Sequence, residues 1–312
     1  MLTVFLYLLT ILIWGTTWIA IKLQLGDVAI EASIIYRFSL AAIVMFCLLQ
    51  LFKKRQSLTP RDHLFCMLQG ACLFCVNFYC FYLATGYVSS GLISVIFSLA
   101  TVLNAINNWI WFSRKPTIRV LCGGFLGLIG ISILFWPELR HQTDIWTLLP
   151  GVALAAAGTY CFSLGNMLSV RHQKRGLKPP TTNAWGMFYG VAILLMISLM
   201  NGVEFTLSYD ITYLTALLYL AIPGTVVGFT AYLMLVGRIG ADSAAYTTVL
   251  FPVVALTISS FYEGYSWSPM AVSGLLLVIS GNVIIFSKLR LPGVSSEHLL
   301  RHLNKYISTK NI

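Results

Sequence analysis

The chain has 312 residues, of which 58% are hydrophobic and only 10% are charged, and its formal net charge is +10. Soluble domains carry about 25% charged residues, so this composition excludes a soluble enzyme or binding domain and indicates a membrane protein. The basic residues follow apolar segments in short loops, so we interpret the charge as a topology signal and expect no nucleic-acid partner.

Apolar segments long enough to cross a bilayer, about 20 residues each, recur along the whole chain. They predict an all-α membrane protein with ten transmembrane helices. The first segment lacks a basic n-region and a cleavage site, so we interpret it as a helix rather than a signal peptide. The predicted spans are 2–22, 32–52, 64–84, 92–112, 119–137, 148–170, 183–200, 211–235, 243–262 and 269–287.

The loops after the even-numbered spans hold 17 of the 20 basic residues. By the positive-inside rule these loops and both termini are cytoplasmic. After span ten, Leu300, Leu303 and Ile307 share one helical face, which is compatible with a short helix on the inner leaflet or with a disordered tail.

Span one contains the sequence WGTTW at residues 14–18. Trp14 and Trp18 are four residues apart and lie on one helical face, and Thr17 adds a hydroxyl beside them. Trp14 is deep enough to line a cavity or to pack in the core. Trp18 lies nearer the outer end, where it could instead belong to an interfacial aromatic belt.

Arg37 lies about five residues inside span two, where a charge costs a few kcal/mol unless it finds a partner. Two interpretations stay open. The side chain either snorkels to the outer surface or faces a watery cavity, where it would hold a substrate anion or a gating partner such as Glu31.

Span three places Phe78 and Tyr82 on one face beside Asn77, a deep amide that needs a partner. An aromatic stripe of this kind often serves packing alone. Polar groups among aromatic rings are also typical of a cavity for a modest-sized organic molecule. The predicted substrate-binding set is Trp14, Thr17, Trp18, Arg37, Asn77, Phe78, Tyr82, Asn104, Tyr160, Trp185 and Tyr232.

Three residues in the second half of the chain are candidate hinges. Pro223 and Gly224 lie in span eight and Pro252 lies in span nine. Proline removes a backbone hydrogen bond and favours a kink, which can be a hinge or a static bend.

A shift of 151 residues superposes identical residues without a gap, for example Phe78 on Phe229, Gly123 on Gly274 and Gly130 on Gly281. Because each half has an odd number of spans, five, the second half starts on the opposite side of the membrane from the first half and is therefore inverted. We therefore predict two inverted five-helix repeats at 1–140 and 141–290, followed by a tail at 291–312, with a substrate site between the halves.

The motifs WGTTWIAIKL, YRFSLAA, FYLATGYVSSG and YEGYSWSPMAVSGLLLVISGNVI occur in this order and resemble the ten-helix EamA group of the drug/metabolite transporter superfamily. The first half departs from the family pattern, with Thr101 where span nine has Pro252 and with FSRKPT in place of an acidic residue. The resemblance implies a secondary transporter in the bacterial inner membrane. It further implies export of an amino acid or aromatic metabolite by alternating access, with import or exchange of an environmental metabolite as the alternative.

Other function classes find less support in the sequence. All five histidines lie in loops, at span edges or in the tail, which leaves no deep acid–base pair for an enzyme. The spacing of Cys72, Cys75 and Cys80 lacks the partners of a zinc site, so no metal or cofactor is predicted. A channel would not need opposed halves. The expected partners are a small-molecule substrate and the lipid bilayer, and the expected assembly is a monomer or homodimer.

Overall fold

The computed structural model describes residues 2–113, 115–141, 146, 148–239, 244 and 247–286, and within these ranges every regular element is a helix. Two π-helical segments interrupt the α-helices, and we name them π1 and π2. The elements are α1 Leu2–Lys22, α2 Ile30–Leu51, α3 Pro60–Gly70, π1 Ala71–Val76, α4 Asn77–Ala84, α5 Ser90–Phe97, α6 Ala100–Phe112, α7 Ile118–His141, α8 Leu149–Lys174, α9 Pro179–Met200, α10 Ile211–Tyr219, π2 Leu220–Val227, α11 Gly228–Ile239, α12 Thr247–Tyr262 and α13 Pro269–Phe286.

Seven helical stretches of the described chain are long and apolar enough to cross a membrane, and three shorter apolar helices accompany them. Because main-chain polar groups must be bonded internally in lipid, helices of this length and composition identify a multi-pass membrane protein. The long stretches are Leu2–Lys22, Ile30–Leu51, Pro60–Ala84, Ser90–Phe112, Leu149–Lys174, Pro179–Met200 and Ile211–Ile239, and the short ones are Ile118–Leu134, Leu250–Tyr262 and Pro269–Gly281.

The two ends of the bundle differ in character. At one end a cavity of about 560 Å³, which we call the vestibule, is lined by Lys22, the connection at 85–89 and the segment at 262–266. At the opposite end Asp62 of α3 lies 3.6 Å from Arg171 and 3.4 Å from Arg175. We refer to these as the vestibule end and the arginine end.

Two helices begin with matching caps. The Thr59 side chain accepts a bond from the Asp62 amide and the Asp62 carboxylate closes a capping box at the start of α3. Asp210 caps α10 by accepting a 3.0 Å bond from the Tyr213 amide, which lowers the pKa of Asp210. Thr59 and Asp210 are 151 positions apart, the same interval as the sequence repeat.

The π-helical segments recur at the same interval. Shifting π1 by 151 residues places it at 222–227, inside π2. Pro223 lies within π2, where its missing N–H removes one helical bond. Such single-turn π segments are frequent at functional sites.

Helices α7 and α13 contact each other at glycine residues. A Cβ on Gly130 would meet the backbone of Gly274, and a Cβ on Gly281 would meet the backbone of Gly123. Small residues allow this close approach in membrane proteins. The two contacts exchange when each residue is replaced by its equivalent 151 positions away, so the glycine contacts of this helix pair follow the interval of the sequence repeat.

The structure refines the predicted spans in three places. Spans three and eight are each an α–π–α stretch rather than one α-helix, and span four is divided by a turn at Ser98 and Leu99 into α5 and α6. The predicted tail at 291–312 lies outside the described residues.

Candidate functional site

A small central cavity of about 30 Å³ lies between helices of the two halves. This volume holds no more than about two water molecules, whereas ligand pockets measure about 300–1,000 Å³. All of its lining residues are buried, so the cavity is closed. They are Trp14, Thr17, Trp18, Ile21, Arg37, Asn77, Phe78, Phe81, Phe97, Phe162, Phe229 and Phe251.

Trp14 is at the centre of the aromatic packing. Its ring centroid lies 4.8 Å from Tyr232, 5.1 Å from Phe229 and 5.9 Å from Phe162. Its indole N–H points at the Gly224 carbonyl oxygen of π2 over 3.4 Å, the long limit for a hydrogen bond. The indole thus joins α1 to the second half mainly through ring contacts, each contributing about 0.5–1.5 kcal/mol.

Trp18 also faces the cavity. It is only 6% exposed and packs 5.1 Å from Phe81, 5.6 Å from Phe97 and 6.1 Å from Phe251. A belt residue would lie at the lipid–water boundary, so the belt interpretation of Trp18 is wrong.

The small residues between the tryptophans let two helices approach α1. A Cβ on Gly15 would meet Val254 of α12, so only glycine fits there without a shift. The Thr17 hydroxyl donates to the Trp14 carbonyl oxygen at 2.9 Å, and Thr16 bonds to the Tyr219 hydroxyl of α10. The WGTTW sequence therefore places two rings in the cavity while its backbone contacts the second half.

Arg37 is a buried cation that has no acidic partner among the residues that the structure describes. It is 1% exposed, so the snorkelling interpretation is wrong. Its Nε donates to the Thr225 hydroxyl of π2 at 3.1 Å, its guanidinium carbon lies 4.3 Å from the Phe78 ring, and its Nη1 has no hydrogen-bond partner. Both ion pairs among the described residues involve Asp62, so the structure does not pair Arg37 with Glu31.

This arrangement leaves one edge of a guanidinium available at the cavity wall. Burying an unpaired charge costs several kcal/mol, and a buried polar atom without a partner calls for a ligand, a water or an ion. A guanidinium presents two parallel N–H groups that match a carboxylate or phosphate. The cavity wall therefore presents a buried cation among aromatic rings.

Asn77 and Tyr82 support the wall through bonds of their own. Asn77 begins α4, directly after π1, and donates to the Gly158 carbonyl oxygen of α8 at 2.7 Å. Tyr82 is fully buried beside Arg37, and its hydroxyl donates to the Gln24 side chain at 2.5 Å.

A second polar group extends from the aromatic cavity toward the arginine end. Asn166 of α8 lies 3.4 Å from both Asn104 of α6 and the Tyr232 hydroxyl, and Asn107 donates to Ser163 at 2.8 Å. We call these five residues the amide cluster. Because the Tyr232 ring also packs on Trp14, this residue connects the cluster to the cavity.

Five of the eleven predicted site residues do not line the cavity, namely Tyr82, Asn104, Tyr160, Trp185 and Tyr232. Two of these five lie away from it altogether. Tyr160 is 43% exposed on the outer face of α8, because a helix turns about 200° over the two residues that separate it from the buried Phe162. Trp185 lies in a surface groove between α2 and α9, 5.2 Å from Phe46 and 4.6 Å from His63.

The sequence did not single out five of the cavity aromatics. Phe229 carried a signal, because it is the repeat equivalent of Phe78. The other four lie in uniformly apolar segments where nothing marks the inward face, namely Phe81, Phe97, Phe162 and Phe251.

The predicted hinges lie beside the site. Gly224 offers its carbonyl oxygen to Trp14, and Pro223 precedes it in π2. Pro252 is buried inside α12 and follows the cavity residue Phe251. Within the described residues no group of three or more His, Cys, Asp or Glu is arranged to hold a metal ion.

Comparison with known proteins assigns the family. The protein-family model described as "EamA-like transporter family" matches two ranges of the chain, residues 1–136 and residues 149–287. The chain belongs to the EamA-like transporter family. Its function class is therefore membrane transport rather than enzymatic catalysis.

Curated relatives extend over nearly the whole chain at low identity. "Protein PagO" of Salmonella typhimurium is 23% identical and the alignment covers 91% of this chain and 95% of the relative. "Probable amino-acid metabolite efflux pump" of the same organism is 24% identical, with 93% and 98% covered. "Probable terminal-alkyne amino-acid exporter" of Streptantibioticus cattleyicolor is 22% identical, with 64% and 65% covered. At this level of identity the names describe the relatives, and for this chain they agree with the transport class that the family match shows.

A solved crystal structure has the same fold. It superposes with a TM-score of 0.67 at 14% identity, covering 91% of this chain and 96% of the solved chain.

Proposed function

We propose that this EamA-like transporter exports amino acids or related aromatic carboxylates from the bacterial cytoplasm by alternating access. The observation that carries the proposal is the free Nη1 edge of the buried Arg37 at the wall of a closed aromatic cavity. Its guanidinium would bind the substrate carboxylate, and the surrounding rings would contact an apolar or flat side chain.

The proposed architecture is ten transmembrane helices in two inverted five-helix repeats, 1–140 and 141–290. The double family match, the caps 151 residues apart, the paired π segments and the exchanged glycine contacts of α7 and α13 support it. In such transporters the substrate binds at the interface of the repeats near the membrane midplane, where interrupted helices occur.

We further propose that the arginine end is cytoplasmic and that the vestibule opens to the outside, with both termini inside. The excess of Lys and Arg in the loops of the arginine end supports this orientation.

Substrate binding requires the cavity to open. At about 30 Å³ it is at least tenfold smaller than the usual ligand site, so the ring of Trp14 must separate from the rings that pack on it. Pro223 and Gly224 in π2, together with Pro252 in α12, are the proposed flexible points, because each lies where a helix contacts the cavity.

The names of two relatives support the substrate class, since they refer to amino-acid metabolites and to a terminal-alkyne amino acid. An amino acid carries a carboxylate and an ammonium group. The unpaired cation at Arg37 favours the carboxylate as the recognised group.

Ligand stabilisation of the purified protein tests the proposal. Aromatic and aliphatic amino acids should raise the unfolding temperature, whereas the matching amines without a carboxylate should not. Arg37→Gln should abolish the shift, and Arg55→Gln, which removes an exposed cation at the arginine end, should leave it intact. Equal stabilisation by amino acids and amines, or a full shift in Arg37→Gln, would contradict the assignment.

A further inference from the structure

Glu263 fastens two helices at the vestibule end. Its carboxylate oxygens lie 3.1 Å and 3.2 Å from the backbone N–H of Ser90, the first residue of α5. One of these oxygens also accepts the Ser90 hydroxyl and, at 2.7 Å, the Ser259 hydroxyl of α12. An anion at a helix N-terminus is favoured by the exposed N–H groups and the helix dipole. We call this set of contacts the clasp.

The clasp joins the two ranges of the chain that match the family model, and it lies on the vestibule side of the central cavity. Ser90 belongs to residues 1–136 and Glu263 to residues 149–287. From the clasp, α5 runs inward to Phe97 and α12 leads inward to Phe251, and both of these rings line the cavity. Separating α5 from α12 at this end would therefore connect the vestibule to the cavity.

Helix α6, which follows α5 after the turn at Ser98 and Leu99, contacts α12 differently. The two helices are joined by the hydroxyls of Thr101 and Thr248, which lie 3.3 Å apart and carry no charge. The residue 151 positions before Glu263 is Phe112, so the repeat supplies no matching carboxylate. Of these two contacts between span four and α12, the clasp therefore contains the titratable group, Glu263, which lies at the vestibule end.

The surroundings of Glu263 leave it accessible to protons. It is half-buried and lines the vestibule. The charged neighbour in that cavity is Lys22 of α1, whose ammonium donates to the Thr85 carbonyl oxygen at 2.6 Å. The other titratable groups in the vestibule lining are the phenols of Tyr87, Tyr262 and Tyr265.

We propose that Glu263 is a proton-binding site, and that proton binding from the vestibule releases the clasp and opens this end of the transporter. The ionised carboxylate accepts bonds from one amide and two hydroxyls. A proton on either oxygen replaces an acceptor site with an O–H donor and removes the charge that strengthens the remaining bonds. Protonation therefore weakens the contacts between α5 and α12, so acid favours opening.

This inference rests on the proposed alternating-access function, but its test needs no substrate. A cysteine at Ile21, a buried cavity residue on the vestibule side, reports opening to a charged thiol reagent. A cysteine at Tyr87, which is already exposed in the vestibule, corrects for the effect of pH on thiol reactivity, and the parent protein gives the background of the seven native cysteines. The measured quantity is the ratio of the two labelling rates in detergent.

The ratio should rise by about tenfold or more between about pH 8 and about pH 4.5, conditions that differ in carboxylate protonation. Glu263→Gln should give a high ratio at both pH values. Glu204→Gln, which removes an exposed carboxylate from another loop, should behave as wild type. A ratio that is unaffected by pH and by Glu263→Gln would overturn the proposal, even if substrate binding at Arg37 were established.

A second variant covers the case in which Glu263→Gln fails to fold. Ser259→Ala removes one donor and keeps the carboxylate, so it should give an intermediate ratio at about pH 8 and should open at a higher pH than wild type. A wild-type response in Ser259→Ala, together with pH-independent labelling of the parent reporter, would show that the clasp does not control opening.

Discussion

Replacing Arg37 with methionine tests whether this buried cation serves binding or folding. In the closed structure three contacts compensate the charge: the Thr225 hydroxyl at 3.1 Å, the Phe78 ring at 4.3 Å and the Phe38 ring at 5.0 Å. A hydrogen bond to a charged group contributes about 1.5–3 kcal/mol, and a desolvated cation–π contact about 2 kcal/mol. The burial of an unpaired ion costs several kcal/mol, so these terms do not leave a large net stabilisation.

Methionine preserves the apolar stem and removes the charge. Thr225 keeps a partner in the variant, because its hydroxyl already donates to the Leu220 carbonyl oxygen at 2.7 Å. Replacement of buried charged groups by apolar ones of similar volume is often neutral or stabilising by about 1–4 kcal/mol. We therefore expect Arg37→Met to be as stable as wild type or more stable, while it loses carboxylate binding.

Thermal unfolding in detergent, with and without amino acids, measures both effects. Arg55→Met is the control, since Arg55 is exposed and its loss should change neither quantity. A loss of more than about 1 kcal/mol in Arg37→Met, relative to Arg55→Met, would refute the reasoning. It would show that the guanidinium holds α2 against π2 and that its free edge is incidental to binding.

Three further predictions concern packing, function and topology. Gly130→Ala should destabilise the protein by about 1–3 kcal/mol in thermal unfolding, because the added Cβ would meet backbone atoms of α13. Gly127→Ala is the control and should be tolerated, because the added Cβ would lie 3.8 Å from Leu99. Equal stability of the two variants would contradict the close crossing of α7 and α13. Trp14→Ala should abolish transport in proteoliposomes while the protein remains folded, and full transport would assign the ring to packing alone. In whole cells an impermeant thiol reagent should label a cysteine at position 204 but not at 174, and the reverse result would invert the orientation.

Cavity residues could be predicted from the sequence where their burial in an apolar span requires a physical explanation. Trp14, Trp18 and Arg37 stood out because rings at helical spacing and a charge inside an apolar span have few explanations. All three line the cavity. The prediction for Tyr160 was wrong because no residue of α8 marks its inward face in the sequence, and an error of two positions turns a side chain to the opposite side of the helix.

Other features depend on contacts that periodicity does not encode. A π segment forms where tertiary packing compensates for altered main-chain bonding, and only Pro223 hinted at π2. The clasp was missed because Glu263 and Ser90 are 173 residues apart, and each is an ordinary end-of-helix residue by itself. The repeat could have suggested π1 once π2 was known, since Val76 and Val227, where the two segments end, are equivalent positions 151 residues apart.

The contacts that keep the central cavity closed indicate which substrates could open it. Few of these contacts are polar. The Trp14 hydrogen bond to Gly224 is long at 3.4 Å, and opening breaks no hydrogen bond of Arg37 Nη1, which has no partner among the described residues. On the apolar side Trp14 and Trp18 make ring contacts with partners from both halves, each contributing about 0.5–1.5 kcal/mol. A substrate ring can replace these contacts, whereas a small polar substrate would separate the rings without compensation. The cost of opening therefore favours carboxylates that carry an aromatic or extended apolar group over small hydrophilic amino acids.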